Sequence, residues 1–300
     1  MPLKLKSSFS VLFPAFKHGL REPDPNFFKE TTALEAAGIS IHVVNIDALM
    51  DGDLSRAFQY TGKPVTDRIV YRGWILHPGE YALMEKQLES AGFKLFTPTR
   101  AYKAGLLFPE FFPHIEPHAI PARWINGSDP NEAVRVAKCL GKPPYYIKDY
   151  AKSAKVIAPQ GCIVSGDDLE SCMSKTIKQL KEYRGDRFEG GIVVRPFIEL
   201  RHIDNCPFGG LIYEEYRLYF LQGKIISQTA YDRVGGDPMS LPDYSYLGKL
   251  IASPFFTADI VVTAEGKHLI LELGDGGTSA LPPTVNPHDF YSQFSTAIDG

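Results

Sequence analysis

The stretch His268-Leu-Ile-Leu-Glu-Leu-Gly-Asp-Gly-Gly-Thr-Ser-Ala-Leu281 decides how the chain is read. Its apolar residues make a strand. Glu272 stands among them, and Gly274-Asp275-Gly276-Gly277 breaks the chain immediately afterwards. The preceding FFTADIVVTAEGKHLILELG reads as a hairpin turning at Glu265-Gly266. With those two residues as the loop, Ala264 pairs with Lys267 and, five steps further, Asp259 pairs with Glu272. Opposed residues share a sheet face, with Cβ atoms about 5 Å apart. Two like charges so placed on an apolar sheet call for a shared proton, a basic residue or a divalent cation. Mg2+ suits carboxylate oxygens and keeps water and phosphate as its other ligands. Asp275, just past the strand, would add another oxygen, and the glycines allow close backbone approach. The alternatives are that each acid meets a lysine or arginine at a sheet edge, or that a one-residue slip puts them on opposite faces.

The chain has 300 residues, 44% hydrophobic and 22% charged, which is ordinary for a soluble globular protein of two domains or several layers. A net charge of −3 carries no broad basic footprint for nucleic acid, although a local basic groove remains open. Cys139, Cys162, Cys172 and Cys206 form no CxxC pair and read as incidental thiols of a reducing compartment. MPLKLKSSFSVLFPAF has a short apolar run interrupted by Pro14 and no convincing cleavage site, so it does not read as a signal peptide. No apolar stretch approaches the roughly 20 residues of a membrane helix. A cytoplasmic protein without a membrane partner is expected.

The first third alternates strands and helices. FSVLFPAF, ISIHVVNI, DRIVYRGWIL and FKLFTP read as strands, with helices over PDPNFFKETTALEAAG (Asp24 as cap, Gly38 as stop) and HPGEYALMEKQLESAG. This rhythm predicts a parallel sheet covered by helices. The Phe-, Pro- and His-rich region from about 102 to 130 has no sustained period and is expected to link two domains. Pro113, Pro117 and Pro121 argue against a helix that would bring His114 and His118 to one face as a metal pair. Beyond it, SDPNEAVRVAKCLG and SGDDLESCMSKTIKQLKEYRG read as helices, and PYYIKDY and GGIVVRPFIEL as strands. EEYRLYFLQGKIISQTAYD reads as a hairpin turning at Gln222-Gly223. Antiparallel pairs predominate here. The expected division is an α/β domain over 1–125 and an α+β domain with mostly antiparallel sheets over 126–300.

Lys148, Arg195 and Arg217 each stand inside an apolar or aromatic strand. A long cation so placed either snorkels to solvent or reaches a polar site. Three of them with a carboxylate pair fit a polyphosphate site, where cations hold phosphate oxygens and Mg2+ bridges phosphate to carboxylate. The chain has neither GxxxxGK[ST] nor a GxGxxG after a strand, which excludes a P-loop and argues against a dinucleotide fold. Lys152, Ser153 and Lys155 in DYAKSAK either close over phosphates or form a solvated basic loop. Arg72 in YRGW either touches substrate or belongs to a packed Tyr-Trp corner. Asp232 and Arg233 read as a local pair.

YIKDYAKSAK, IVVRPFIEL, EEYRLYFLQGKII and FTADIVVTAEGKHLILELGDGG, in this order over about 145–277, resemble the ATP-grasp superfamily. More closely they resemble its divergent clade named for two arginines and a lysine, related to the eukaryotic assembly factor for translation initiation factor two. YRGWILHPGEYALMEKQLESAG is similar to the pre-ATP-grasp domain that accompanies the clade. The resemblance implies that Lys148 and Arg195 contact ATP phosphates. It implies that Phe197, Ile198, Glu199 and Leu200 present backbone to adenine, with Glu199 reaching the ribose. Arg217, with Lys155 from the basic loop, would serve the transferred phosphoryl group or the acceptor. Asp259 and Glu272 would hold Mg2+. The superfamily often has Asn two positions after the last Glu; here Gly274 is followed by Asp275, which makes Asp275 a substitute ligand. The implied activity is ATP- and Mg2+-dependent ligation of a carboxylate to an amine through an acyl phosphate. Alternatives are a nucleic-acid (RNA-repair) ligase acting on strand ends and an ATP-binding assembly factor with little turnover. The acceptor would then be a small molecule, a peptide or an RNA end.

Overall fold

The computed structural model describes residues 8–16, 19–59, 66, 68–157, 161–205, 211–232 and 237–298. The expectations for the N-terminal MPLKLKS, Cys206 and Arg233 lie outside them. The chain packs as two compact units. One takes Met1–Gly105, Tyr216–Ala258 and Gly274–Gly300; the other takes Leu106–Glu215 and Asp259–Leu273. The chain crosses between units four times, so a single cut at 125/126 does not describe how it packs.

In the first unit, β1 (Ser10–Phe16), β2 (Gly19–Pro23), α1 (Phe28–Ala36), β3 (Ser40–Val44), α2 (Ile46–Met50) and α3 (Leu54–Ala57) follow in order. β4 (Arg68–Tyr71), α4 (Pro78–Ser90), β5 (Lys94–Leu95) and α5 (Thr99–Leu106) come next. β1 pairs in parallel with β3 and with β4, β4 pairs in parallel with β5, and β2 adds an antiparallel edge. The parallel sheet expected from the strand–helix rhythm is therefore present. Asp24 caps a 3-10 turn over Pro25–Phe27 that leads into α1, accepting from the Asn26 N–H at 2.9 Å. Gly38 takes the left-handed conformation that ends the helix (φ 71°).

The second unit contains α6 (Phe108–Ile115), β6 (Arg123–Asn126), α7 (Pro130–Lys138), β7 (Tyr145–Asp149), β8 (Ile163–Val164), α8 (Leu169–Arg184) and β9 (Gly191–Pro196). A small ribbon of β10 (His202–Asn205) and β11 (Leu211–Tyr213) follows. The four-stranded sheet runs β6-β9-β7-β8, antiparallel throughout. Side chains alternate across it. Tyr145, Ile147, Ile192 and Val194 turn to a core shared with Ala133, Val134 and Ala137 of α7 and Met173, Ile177 and Leu180 of α8. Tyr146 and Lys148 take the other face, with Arg195 directly opposite Tyr146.

The region 102–130 corrects the reading of it as a linker without helices. α6 runs through Pro113, and a 3-10 turn over Glu116–His118 follows. Pro109 sits in the first turn, where its missing N–H costs nothing, and Pro113 removes one ladder bond. Against that, Phe108, Phe111, Phe112 and Ile115 are buried. Each such side chain contributes roughly 1.5–3 kcal/mol on burial, which outweighs the lost bond.

The chain then returns through β12 (Glu215–Leu221), β13 (Lys224–Ala230), α9 (Leu247–Leu250), β14 (Phe255–Val262), β15 (His268–Asp275) and α10 (Pro287–Ile298). These strands form a sheet in the order β13-β12-β14-β15. Leu221 pairs with Lys224 around the expected two-residue turn, with Gln222 and Gly223 both at positive φ. The second hairpin differs from expectation. Thr263 N–H donates to the Lys267 carbonyl at 2.9 Å, so the loop is Ala264-Glu265-Gly266, with Gly266 left-handed. This three-residue loop would place Leu271, not Glu272, opposite Asp259. At the far end Gly276 N–H donates to the Phe255 carbonyl at 3.1 Å, which is the register of a two-residue loop. β15 therefore gains one residue on β14 between these bonds, as a bulge does.

Within the first unit, α10 contributes Phe290, Tyr291, Phe294 and Ile298 to a core with Val11, Phe13, Val70, Tyr219 and Phe255. Arg72, only 1% exposed, lies in it. Its Nε and Nη2 donate to the Glu30 carboxylate at 2.9 and 2.7 Å, and Tyr291 donates its hydroxyl to the same group at 2.5 Å. Arg72 is thus packed, as in the corner reading, beside Tyr71, whose hydroxyl donates to the Trp74 carbonyl at 3.1 Å, and its charge is taken up by Glu30. Removing one partner of a buried ion pair strands the other charge. Glu30→Ala is expected to lower unfolding free energy by about 3–5 kcal/mol, read by urea denaturation; a loss under about 1 kcal/mol would show that Arg72 is satisfied without it.

Candidate active site

The polar face of the second unit's sheet is built by strand alternation. Lys148 and Tyr146 lie two apart on β7, and Arg195 stands across from Tyr146 on β9. Both cations are almost wholly buried, at 3% and 4% exposed. Lys148 Nζ donates to Glu272 Oε2 of β15 at 2.6 Å. Burial alone would push the Glu272 carboxyl up. Lys148, then Lys152, and Arg195 pull it well below the usual carboxylate range, so it stays ionised. Arg195 is held below its ordinary value by burial, offset in part by Glu272 and Tyr146. Its guanidinium lies 5.2 Å from the centre of the Phe108 ring, and its Nε is buried without a hydrogen-bond partner. Three cations thus bear on one carboxylate, and one of them, Arg195, keeps a buried N–H without a partner. Phosphate oxygens would satisfy it.

The loop after β7 is folded by a residue that the sequence reading passed over. Asp149 is fully buried, and its Oδ1 accepts from the N–H groups of Ala151 and Lys152 at 2.8 and 2.5 Å. Its Oδ2 accepts from Arg184 Nε at 2.7 Å and from the Glu189 N–H at 3.3 Å. Asp149 N–H in turn donates to the Lys152 carbonyl at 3.0 Å. One carboxylate therefore closes the turn that carries Lys152. Tyr146 was missed too. It hydrogen-bonds with Ser153 of this loop, and burial pushes its phenol up to about 12. Asp149 was legible as an Asx-turn acid after a strand; Tyr146 carried no signal beyond strand alternation. Lys155 begins a 3-10 turn over Lys155–Ile157 with its side chain exposed.

Beyond β9 the chain is held at both ends. Phe197 N–H donates to the Pro144 carbonyl at 3.0 Å, and the Glu199 carbonyl accepts from the Ala264 N–H at 3.0 Å. Among the described residues the Phe197 carbonyl and the Glu199 N–H enter no backbone–backbone bond. Ile198 and Leu200 pack with Ile120, Val261 and Leu269 as an apolar bed.

Asp259 is 3% exposed on β14. It and Glu272 are the second unit's two candidate metal ligands, and Asp275 lies in the first unit. Asp275 Oδ1 accepts from the Thr278 N–H at 3.0 Å, while Oδ2 is buried without a partner. Burial raises its carboxyl to about 7, against the Thr278 and Gly277 N–H bonds and the Arg72 charge. Among the described residues no three His, Cys, Asp or Glu side chains form a cage. Carboxylate oxygens such as those of Glu272, held ionised, suit Mg2+, which takes one or two carboxylates and leaves the rest of its shell to water and phosphate. Arg217, also in the first unit, donates from Nη1 to the Ala280 carbonyl at 2.9 Å, with its guanidinium 4.7 Å from the Tyr231 ring centre.

Solved structures share this fold. A RimK-domain ATP-grasp protein from Sphaerobacter thermophilus matches with a TM-score of 0.59 at 13% identity, over 97% of this chain and 100% of that one. The D-cycloserine synthetase DcsG matches with a TM-score of 0.59 at 13% identity, over 97% of this chain and 99% of that one. The ATP-grasp ligase PsnB, complexed with a phosphomimetic variant of a minimal precursor, Mg and ADP, matches with a TM-score of 0.56 at 13% identity, over 98% of each chain. No curated protein matches the chain. The fold is thus that of ATP-grasp proteins. A family model for the ATP-grasp domain, family 3 of the clade named for two arginines and a lysine, matches residues 139–294. The chain belongs to that family. With the family come ATP and Mg2+ as cofactors and ATP-dependent ligation as the general class of activity. Among the described residues no helix is long and apolar enough to cross a membrane.

Asp149 generates a prediction about the basic loop. Asp149→Ala removes four hydrogen bonds and leaves Arg184 without its partner. Trypsin is expected to cut after Lys152 several-fold faster than in the wild type, read by mass spectrometry of early fragments. Unchanged cleavage would mean that the loop keeps its shape without the carboxylate.

Proposed function

We propose that the protein joins a carboxylate to an amine at the expense of ATP, through an acyl phosphate. The observation that carries this reading is the convergence of Lys148, Arg195 and Lys152 on Glu272, with the Arg195 Nε unpartnered. Lys148 and Arg195 would take phosphate oxygens of ATP, and Lys152 and Lys155 would lie over them from the loop. The segment Phe197-Ile198-Glu199 would receive the base. Asp259 and Glu272, with Asp275 as a further ligand, would hold Mg2+, which when bound neutralises phosphate charge. Arg217 would bear on the transferred group or the acceptor. A carboxylate oxygen attacks the γ-phosphorus, the bond from that phosphorus to the β-phosphate oxygen breaks, and ADP leaves. An amine then attacks the acyl carbon, phosphate leaves, and the amine loses its proton. The chain's share is placement and charge neutralisation. In support, one fold relative is a D-cycloserine synthetase and another is a ligase complexed with Mg and ADP.

Hydroxylamine tests the chemistry without the natural amine. Incubation with Mg·ATP, hydroxylamine and pooled carboxylic acids is expected to give hydroxamate and ADP in equal amounts. AMP and pyrophosphate instead would contradict the acyl-phosphate route and favour adenylyl transfer, as an RNA-end ligase would use. Glu272→Gln is expected to abolish ADP formation while leaving the circular dichroism spectrum unchanged; near-wild-type turnover would remove Glu272 from the site.

A further inference from the structure

Arg72 does more than close an ion pair. While Nε and Nη2 hold Glu30, Nη1 points to the opposite side and donates to the carbonyls of Gly276, Gly277 and Ser279 at 2.9, 3.2 and 2.8 Å. The next carbonyl, Ala280, accepts from the Tyr219 hydroxyl at 2.8 Å and from Arg217 Nη1 at 2.9 Å. Gly277 is pinned from its other side, because the Gly73 N–H donates to its carbonyl at 3.0 Å. A Cβ on Gly277 would fall 2.4 Å from the Tyr71 carbonyl oxygen, so only glycine fits there. The peptide planes that these carbonyls fix are those whose N–H groups, at Gly277 and Thr278, orient the Asp275 carboxylate. One guanidinium, buried and held in place by Glu30 and Tyr291, therefore sets the backbone between two proposed functional side chains, Asp275 and Arg217.

We infer that Arg72 is a positioning residue for Mg·nucleotide binding. It clamps the glycine-rich turn so that Asp275 presents its unpartnered Oδ2 and Arg217 keeps its orientation. The role rests on the proposed ATP site and deepens it, adding a residue about 200 positions upstream that touches neither nucleotide nor metal. Five donors in a rigid fork are needed to serve a carboxylate on one side and three carbonyls on the other. A lysine keeps the charge and loses the fork, so Arg72→Lys separates charge from geometry. Gly277→Ala displaces the turn from the same clamp with the Arg72–Glu30 pair untouched.

The test is calorimetric titration of the full-length protein with the non-hydrolysable analogue AMPPNP, with Mg2+ and with EDTA. Each variant is first checked for a wild-type circular dichroism spectrum at the working temperature. Residues that orient metal ligands typically change metal affinity by about 10–100-fold when replaced. Arg72→Lys and Gly277→Ala are each expected to weaken Mg·AMPPNP binding by about that factor, with metal-free AMPPNP binding unchanged. A merely structural role would weaken both forms equally or neither, and either result would overturn the positioning role alone. If one variant does not fold, the other decides. Failure of the wild-type protein to bind Mg·AMPPNP would instead remove the ATP-site reading, and this inference with it.

Discussion

The contact between Lys148 Nζ and Glu272 Oε2, at 2.6 Å, is the interaction on which the proposed site depends. It joins a strand of one sheet, β7, to a strand of the other, β15, and both residues lie in the second unit. A lone pair in such a place is a poor stabiliser, since desolvating two charges offsets most of their attraction. Arg195 and Lys152 act on the same carboxylate, and the Arg195 Nε is left without a partner. An arrangement that is unfavourable as a structural pair makes sense as a receptor for a polyanion. A nucleotide's phosphates would take over the cations and free the carboxylate for a divalent ion.

In each unit a buried acid shapes backbone. In the second unit Asp149, anchored by Arg184, folds the turn that carries Lys152. In the first unit Glu30 fixes Arg72, which in turn holds the carbonyls of the glycine-rich turn. In both places a hydrogen-bonded carboxylate orders, directly or through an arginine, a loop that would otherwise carry unsatisfied peptide groups. Loops that meet phosphate need such definition, because their affinity comes from donors already in position.

Local sequence signals determined much of this. The parallel sheet of the first unit followed from the strand–helix rhythm, and the two-residue turn at Gln222-Gly223 from its residues alone. Period-2 alternation was enough to mark Lys148 and Arg195 as cations embedded in strands, and both are buried on one sheet face. Register was less legible. The loop at Ala264-Glu265-Gly266 and the extra residue in β15 cannot be separated by counting, because a bulge leaves no mark in a continuous apolar run. α6 is hidden in the sequence because Pro113 disfavours a helix locally, while four buried apolar side chains outweigh it. Arg72 was opaque for a different reason: its partners are 42 and more than 200 residues away. No short-range pattern reports a contact of that kind.

The cations around Glu272 are proposed to receive phosphate. A crystal structure of the protein with Mg2+ and AMPPNP tests this most directly. Phosphate oxygens are expected within hydrogen-bonding distance of Lys148 Nζ and Arg195 Nε, with the metal on Asp259 and Glu272. A nucleotide bound elsewhere, with the Lys148–Glu272 pair still closed and the Arg195 Nε still unpartnered, would contradict the proposal.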